Sequence, residues 1–106
     1  MTARQFDVCR VGGLRAESPV DLAIVMQDDT LSHLSTRIVA PLIPTAKDMV
    51  ADRATPIVEL DGVPYAVAAH LLMTVPARNL ETPIASLKKD HESLLKSAID
   101  LVFFGV

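Results

Sequence analysis

The chain of 106 residues has no tryptophan, one cysteine, one tyrosine and three phenylalanines. With so little aromatic bulk, a hydrophobic fraction of 50% has to be assembled from Val, Ile, Leu, Met and Ala. The single cysteine, Cys9, excludes an internal disulfide and every Cys-rich zinc site, and in an alternating stretch it reads as a small buried hydrophobe. Neither sign of charge dominates: ten basic against thirteen acidic residues leave −3, which argues against a broad phosphate-binding surface. No apolar run reaches the ~18 residues that span a bilayer. The first residues also lack the apolar stretch of a secretory signal. The expectation is a soluble cytoplasmic protein with no membrane partner. At this length one core buries about 65% of the unfolded surface, so a single domain over residues 1–106 needs no metal, disulfide or cofactor to fold.

What is present points to strands first and a helix last. Prolines at 19, 41, 44, 56, 64, 76 and 83 are hostile to any long helix before residue 83. Alternation around Phe6, Val8 and Arg10 predicts a first strand, and Gly12-Gly13 opens a polar loop to Pro19. Residues 20–27 read as a second strand with Leu22, Ile24 and Met26 on one face, ended by Asp28-Asp29, whose short acidic side chains favour a turn. Residues 36–43 read as a third strand, which Pro41 assigns to an edge or a bulge because it offers no ladder donor. A short helical turn near Ala46–Val50 is weakly signalled. Asp61-Gly62 between the apolar runs 56–60 and 65–68 is a strong hairpin signal. Leu71–Val75 makes a further strand. From Ser86 to Phe104 there is no Gly or Pro, and Leu87, Leu94, Leu95, Ala98, Ile99, Val102 and Phe103 fall at helical spacings. The expected fold class is therefore mainly β (α+β), with five to seven short strands and one C-terminal helix.

The catalytic inventory is thin. His33, His70 and His91 lie on different elements, no metal-ligand spacing occurs, and Asp28-Asp29 reads as a turn before it reads as an acid–base pair. No phosphate-cradling glycine loop or nucleophile–base pattern is indicated. The expectation is a protein that binds and does not catalyse. The unusual feature is the C-terminal end, where Phe103 and Phe104 make up half of all aromatic residues. Adjacent helix residues point about 100° apart. Either both pack on a wide core face, or Phe103 packs while Phe104, Gly105 and Val106 project towards a partner.

Several blocks resemble, in order and combination, the CcdB family of type II toxin–antitoxin systems. They are Gln5-Phe6, Val25-Met26-Gln27-Asp28, Thr36-Arg37-Ile38-Val39-Ala40-Pro41-Leu42, Pro56-Ile57-Val58, Thr74-Val75-Pro76, and Ala98-Ile99-Asp100-Leu101-Val102-Phe103-Phe104-Gly105-Val106. The resemblance implies an SH3-like barrel of the CcdB/MazF type carrying a C-terminal helix. It implies a homodimer that binds the A subunit of DNA gyrase and traps the gyrase–DNA cleavage complex. It also implies neutralisation by a cognate CcdA-like antitoxin, with DNA met only indirectly, when the toxin–antitoxin complex represses its operon. By position the gyrase contact falls on Phe104, Gly105 and Val106, with Phe103 kept for packing. Well-known members carry tryptophan and a terminal isoleucine where this chain has Phe104 and Val106. Asp100, Phe103, Thr30 and Leu31 are the candidates for the antitoxin or dimer surface. Two alternatives share this fold. One is an antitoxin-binding dimer that does not poison gyrase. The other is a MazF-like ribonuclease, for which Arg37, Arg53, Arg78 and His33 are the loose candidates.

Overall fold

The computed structural model describes residues 3–15, 18–45 and 49–106. Its strands are β1 (Asp7–Arg15), β2 (Ser18–Val25), β3 (Thr36–Pro44), β4 (Ile57–Leu60), β5 (Val63–Val67), β6 (Met73–Pro76) and β7 (Ala85–Ser86). One helix, α1 (Lys88–Phe104), follows them. Every pairing is antiparallel, in the order β4-β5-β3-β2-β1-β7, with β6 added beside β3. The sheet curls into a nearly closed barrel with α1 packed on it. The expected mainly β class with one terminal helix is what the chain adopts.

Two of the strand expectations need correction. The polar loop from Gly12 to Pro19 is instead a continuation of β1 and the start of β2, paired up to Arg15↔Ser18 with a register shift between Gly12 and Arg15. Glycine inside a strand commonly marks such a shift, because the residue packs little and bends easily. Nor is Pro41 on an edge. β3 is interior, and Pro41 stands opposite Ala23 of β2 in unbroken register. The other side of β3 explains the tolerance: residues 36–39 pair with β6 and residues 42–44 with β5. Pro41 sits at the change of partner, where its carbonyl accepts from the Ala68 N–H at 3.1 Å. In an antiparallel ladder a residue's N and C=O face the same neighbour, so the missing donor falls in that gap. The turn expected near Ala46–Val50 lies largely outside the described residues, and Met49 and Val50 have no regular structure.

The hairpin forms as read. Asp61 and Gly62 both have positive φ, 51° and 78°, the two-residue turn whose twist suits a β-hairpin. Leu22, Ile24 and Met26 do share a face: with Phe6, Val8, Leu42, Leu95 and Ala98 they make the core between the barrel and α1. The residues between them are not solvated. Cys9, Val11, Ala23, Val25, Val39 and Val75 form a second buried cluster on the opposite face. Strand side chains alternate between faces, so burial of neighbours such as Ala23 and Ile24 means that both faces are covered there. That is why the second and third strands are almost continuously apolar. Cys9 is fully buried in this second cluster, as its strand position suggested.

Candidate partner-binding surface at the helix end

α1 begins at the core and ends in solvent. The Leu87 N–H donates to the Phe6 carbonyl at 2.9 Å, tying the helix start to the entry of β1. Leu95 and Ala98 are fully buried, and Ile99 and Val102 pack partly against the same core. At about 100° per residue, Phe103 lies one step round from Val102, and Phe104 about 160° away. Both therefore leave the buried stripe, and they are 62% and 75% exposed. The packing role expected for Phe103 is not what the structure shows. Gly105 then adopts φ 73°, a left-handed C-cap whose N–H donates to the Leu101 carbonyl at 3.0 Å. This cap turns Val106, 74% exposed, away from the helix path. The result is an apolar tip of two phenylalanines and a valine standing clear of the core.

The tip is held from the side by a loop that sequence reasoning assigned to nothing but a loose ribonuclease candidate. Arg53 Nε donates to Ser97 Oγ at 2.6 Å, and Arg53 Nη2 donates to the main-chain oxygen of Val106. Asp52 shapes that loop: its Oδ1 accepts from the Ala54 N–H, the Thr55 N–H and the Thr55 hydroxyl at 2.8–2.9 Å. These bonds, those of Thr55 first, hold the Asp52 carboxyl below its usual range. The Asp-x-x-Thr spacing is a legible loop signal, but its apposition to α1 is a tertiary fact.

The other candidates are dispersed. Asp100 is exposed one turn before Phe104, so the two share a side of α1. Thr30 and Leu31, also exposed, lie in a 3-10 turn (Asp29–Leu31) capped by Asp28, whose Oδ1 accepts from the Thr30 N–H at 2.8 Å. That bond, then the Thr30 side chain and only after it the charges of Lys88 and Lys96, holds the Asp28 carboxyl low. The turn is tied to the residues that enter β1, where the Gln5 N–H donates to Asp29 Oδ1 at 2.8 Å. Arg37, by contrast, is only 4% exposed. Its Nη1 donates to the Leu34 and Thr36 carbonyls at 2.6 and 2.8 Å, and its Nη2 to the Ser32 carbonyl at 2.8 Å. It closes the 32–36 loop. His33 lies exposed on an open hollow of about 480 Å³ with Arg4, Asp29 and Ser32. Arg78 is exposed in the turn Ala77–Asn79, whose Ala77 N–H donates to Ser35. Among the described residues no group of three or more His, Cys, Asp or Glu side chains is arranged to hold a metal. Among them, too, no helix is long and apolar enough to cross a membrane.

The family model described as CcdB protein matches residues 5–105, which includes all of α1 and its glycine cap. The chain belongs to the CcdB family. CcdB proteins are toxins of toxin–antitoxin systems, and the match extends over both cores and most of the exposed tip. The comparison with curated proteins finds no match. Among solved structures, a Mycobacterial endoribonuclease in complex with its cognate antitoxin superposes with a TM-score of 0.75 at 10% identity, over 93% of this chain and 92% of that one. The Mycobacterium tuberculosis toxin MazF-mt6 superposes with 0.73 at 20% identity, over 92% and 95%. At such identities the likeness is one of fold, and a shared fold hosts different chemistries.

Proposed function

We propose that this CcdB-family chain is a homodimeric toxin that binds the A subunit of DNA gyrase through Phe104, Gly105 and Val106. By doing so it traps the gyrase–DNA cleavage complex, as an inhibitor and not as an enzyme. The observation that carries this reading is the exposed apolar tip at the end of a helix that the family model covers. Trapping requires no acid, base or nucleophile from the toxin. It requires only that one state of the cleavage cycle bind the tip more tightly than the others. Two aromatic anchors beside polar groups such as Asp100 are suited to that. A cognate CcdA-like antitoxin would compete for the toxin surface, with Asp100 and Phe103 on the helix and Thr30 and Leu31 on the nearby turn as its candidate contacts. DNA would be met only through that complex.

The test is to incubate purified protein with gyrase and supercoiled plasmid and measure linearised DNA after denaturation. Cleavage complexes should accumulate with the natural protein and not with Phe104→Ala. Two other readings have observations of their own. The endoribonuclease likeness favours an RNA-cleaving toxin. Against it, Arg37 is turned inward onto three carbonyls and is not available to a phosphate. Cleavage of added RNA by the pure protein would establish it. Phenylalanine at 104 lacks the indole N–H of the family's tryptophan, which favours an antitoxin-binding dimer that does not poison gyrase. Cleavage complexes that appear only with Phe104→Trp would establish that one.

A further inference from the structure

α1 has no basic residue in its last turn, and its negative end is met by a cation from elsewhere in the chain. Arg53 spans the second half of α1, from Ser97 Oγ, about two turns before the cap, to the Val106 main-chain oxygen just beyond the helix end. The loop bearing Arg53 is closed by the three bonds to Asp52 Oδ1, so the guanidinium is offered from a fixed base. An exposed tip that must seat aromatic anchors loses affinity for every disordered conformer it samples. Gly105 adds to the need, because a glycine at φ 73° is easily released to other conformations.

We propose that Arg53 is a positioning residue for the apolar tip: its fork, braced by Asp52, clasps Ser97 and Val106 and holds Phe103, Phe104 and Val106 in the conformation that binds the partner. Gyrase as that partner rests on the reading above, whereas the clasp itself does not. Arg53 touches no partner group in this scheme. It acts through the fraction of molecules whose tip is ready to bind, and the apparent dissociation constant rises as that fraction falls. Lysine at 53 keeps the cation but loses the fork, so it should recover only part of the effect.

Hydrogen exchange at the Gly105 amide tests the clasp on the protein alone. Arg53→Gln should speed exchange at the Gly105 amide, which is bonded to the Leu101 carbonyl, by about fivefold while the β-strand amides keep their protection, since the bonds lost are local. Ser97→Ala should act in the same direction, and adding it to Arg53→Gln should contribute little more, because both remove one device. Binding to the gyrase A subunit by calorimetry should weaken about three- to tenfold in Arg53→Gln, with an intermediate loss in Arg53→Lys. Unchanged exchange at Gly105 in Arg53→Gln overturns the clasp. Faster exchange with unchanged affinity overturns its positioning role. If the natural protein does not bind gyrase at all, the functional reading fails, and the exchange measurement still decides whether Arg53 orders the tip.

Discussion

Two residues illustrate how differently a side chain can be used. Arg37 is charged and nearly inaccessible, and three carbonyls of the 32–36 loop are satisfied by its guanidinium. Replacing it with alanine leaves those acceptors without their charged donor, at a cost of about 2–4 kcal/mol. Urea denaturation should show the midpoint falling by the corresponding amount. Phe104 is the converse: it is three-quarters exposed and contributes little to the core. Phe104→Ala should leave stability within about 0.5 kcal/mol of the natural protein. A loss of toxicity in that variant, with its denaturation midpoint unmoved, would separate binding from folding. Pattern alone left the placement of both phenylalanines open, because helical spacing states which residues share a face and not where the supporting barrel stops.

At the scale of elements, the tight hairpin and the helix are the parts most fully written in local sequence. The β4–β5 turn places Asp61 and Gly62 at positive φ with nothing near the glycine's missing side chain. Gly62→Ala should therefore destabilise by about 1 kcal/mol through backbone strain alone, with no steric clash to relieve. A thermal melt of Gly62→Ala beside the natural protein checks this, and an unchanged midpoint would refute it. The turns at Asp28 and Asp52 behave alike. Each carboxylate accepts backbone donors and is held below its usual range. Both turns should be intact above the ordinary carboxylate range and loosen as pH falls below it, towards the lowered values of the folded state. β7, two residues long, has no periodic signal at all, since its pairing with Asp7 and Val8 is set only once the chain returns beside β1.

On the scale of the whole molecule, the two-sided burial of the barrel has a chemical consequence at Cys9. Burial, followed by the charge of Asp7, pushes its thiol up to about 11. An acid whose folded pKa is raised contributes nothing lost below the unfolded value near 9, because both states are then protonated. Between about pH 9 and 11 the unfolded chain ionises and the folded one does not, so stability declines by at most about 1.4 kcal/mol per pH unit. The natural protein should lose stability over that window relative to its value at pH 8, and Cys9→Ala should lose less. Equal losses in the two proteins would refute the assignment. The same burial should leave Cys9 unreactive towards a thiol reagent until the protein is unfolded. Likeness to endoribonucleases on one side and membership of CcdB on the other show that the barrel itself does not choose the activity. On the proposed reading, that choice lies with the groups it displays, the tip of α1 foremost.

Several features were determined by the sequence alone: strands first and a helix last, the Asp61-Gly62 turn, the burial of Cys9 and the apolar ending. All of these depend on neighbours along the chain, through φ preference, alternation and helical period, while the family was carried by the order and combination of its motif blocks. The tertiary structure decided the rest. It made β3 an interior strand that tolerates Pro41 because its partner changes there, and it covered the second face of β1 and β2. It turned Arg37 inward onto a loop and carried Arg53 across to the end of α1. Each of these is a contact between residues distant in the chain, and spacing holds no record of them because the barrel's closure, not local conformation, brings the partners together.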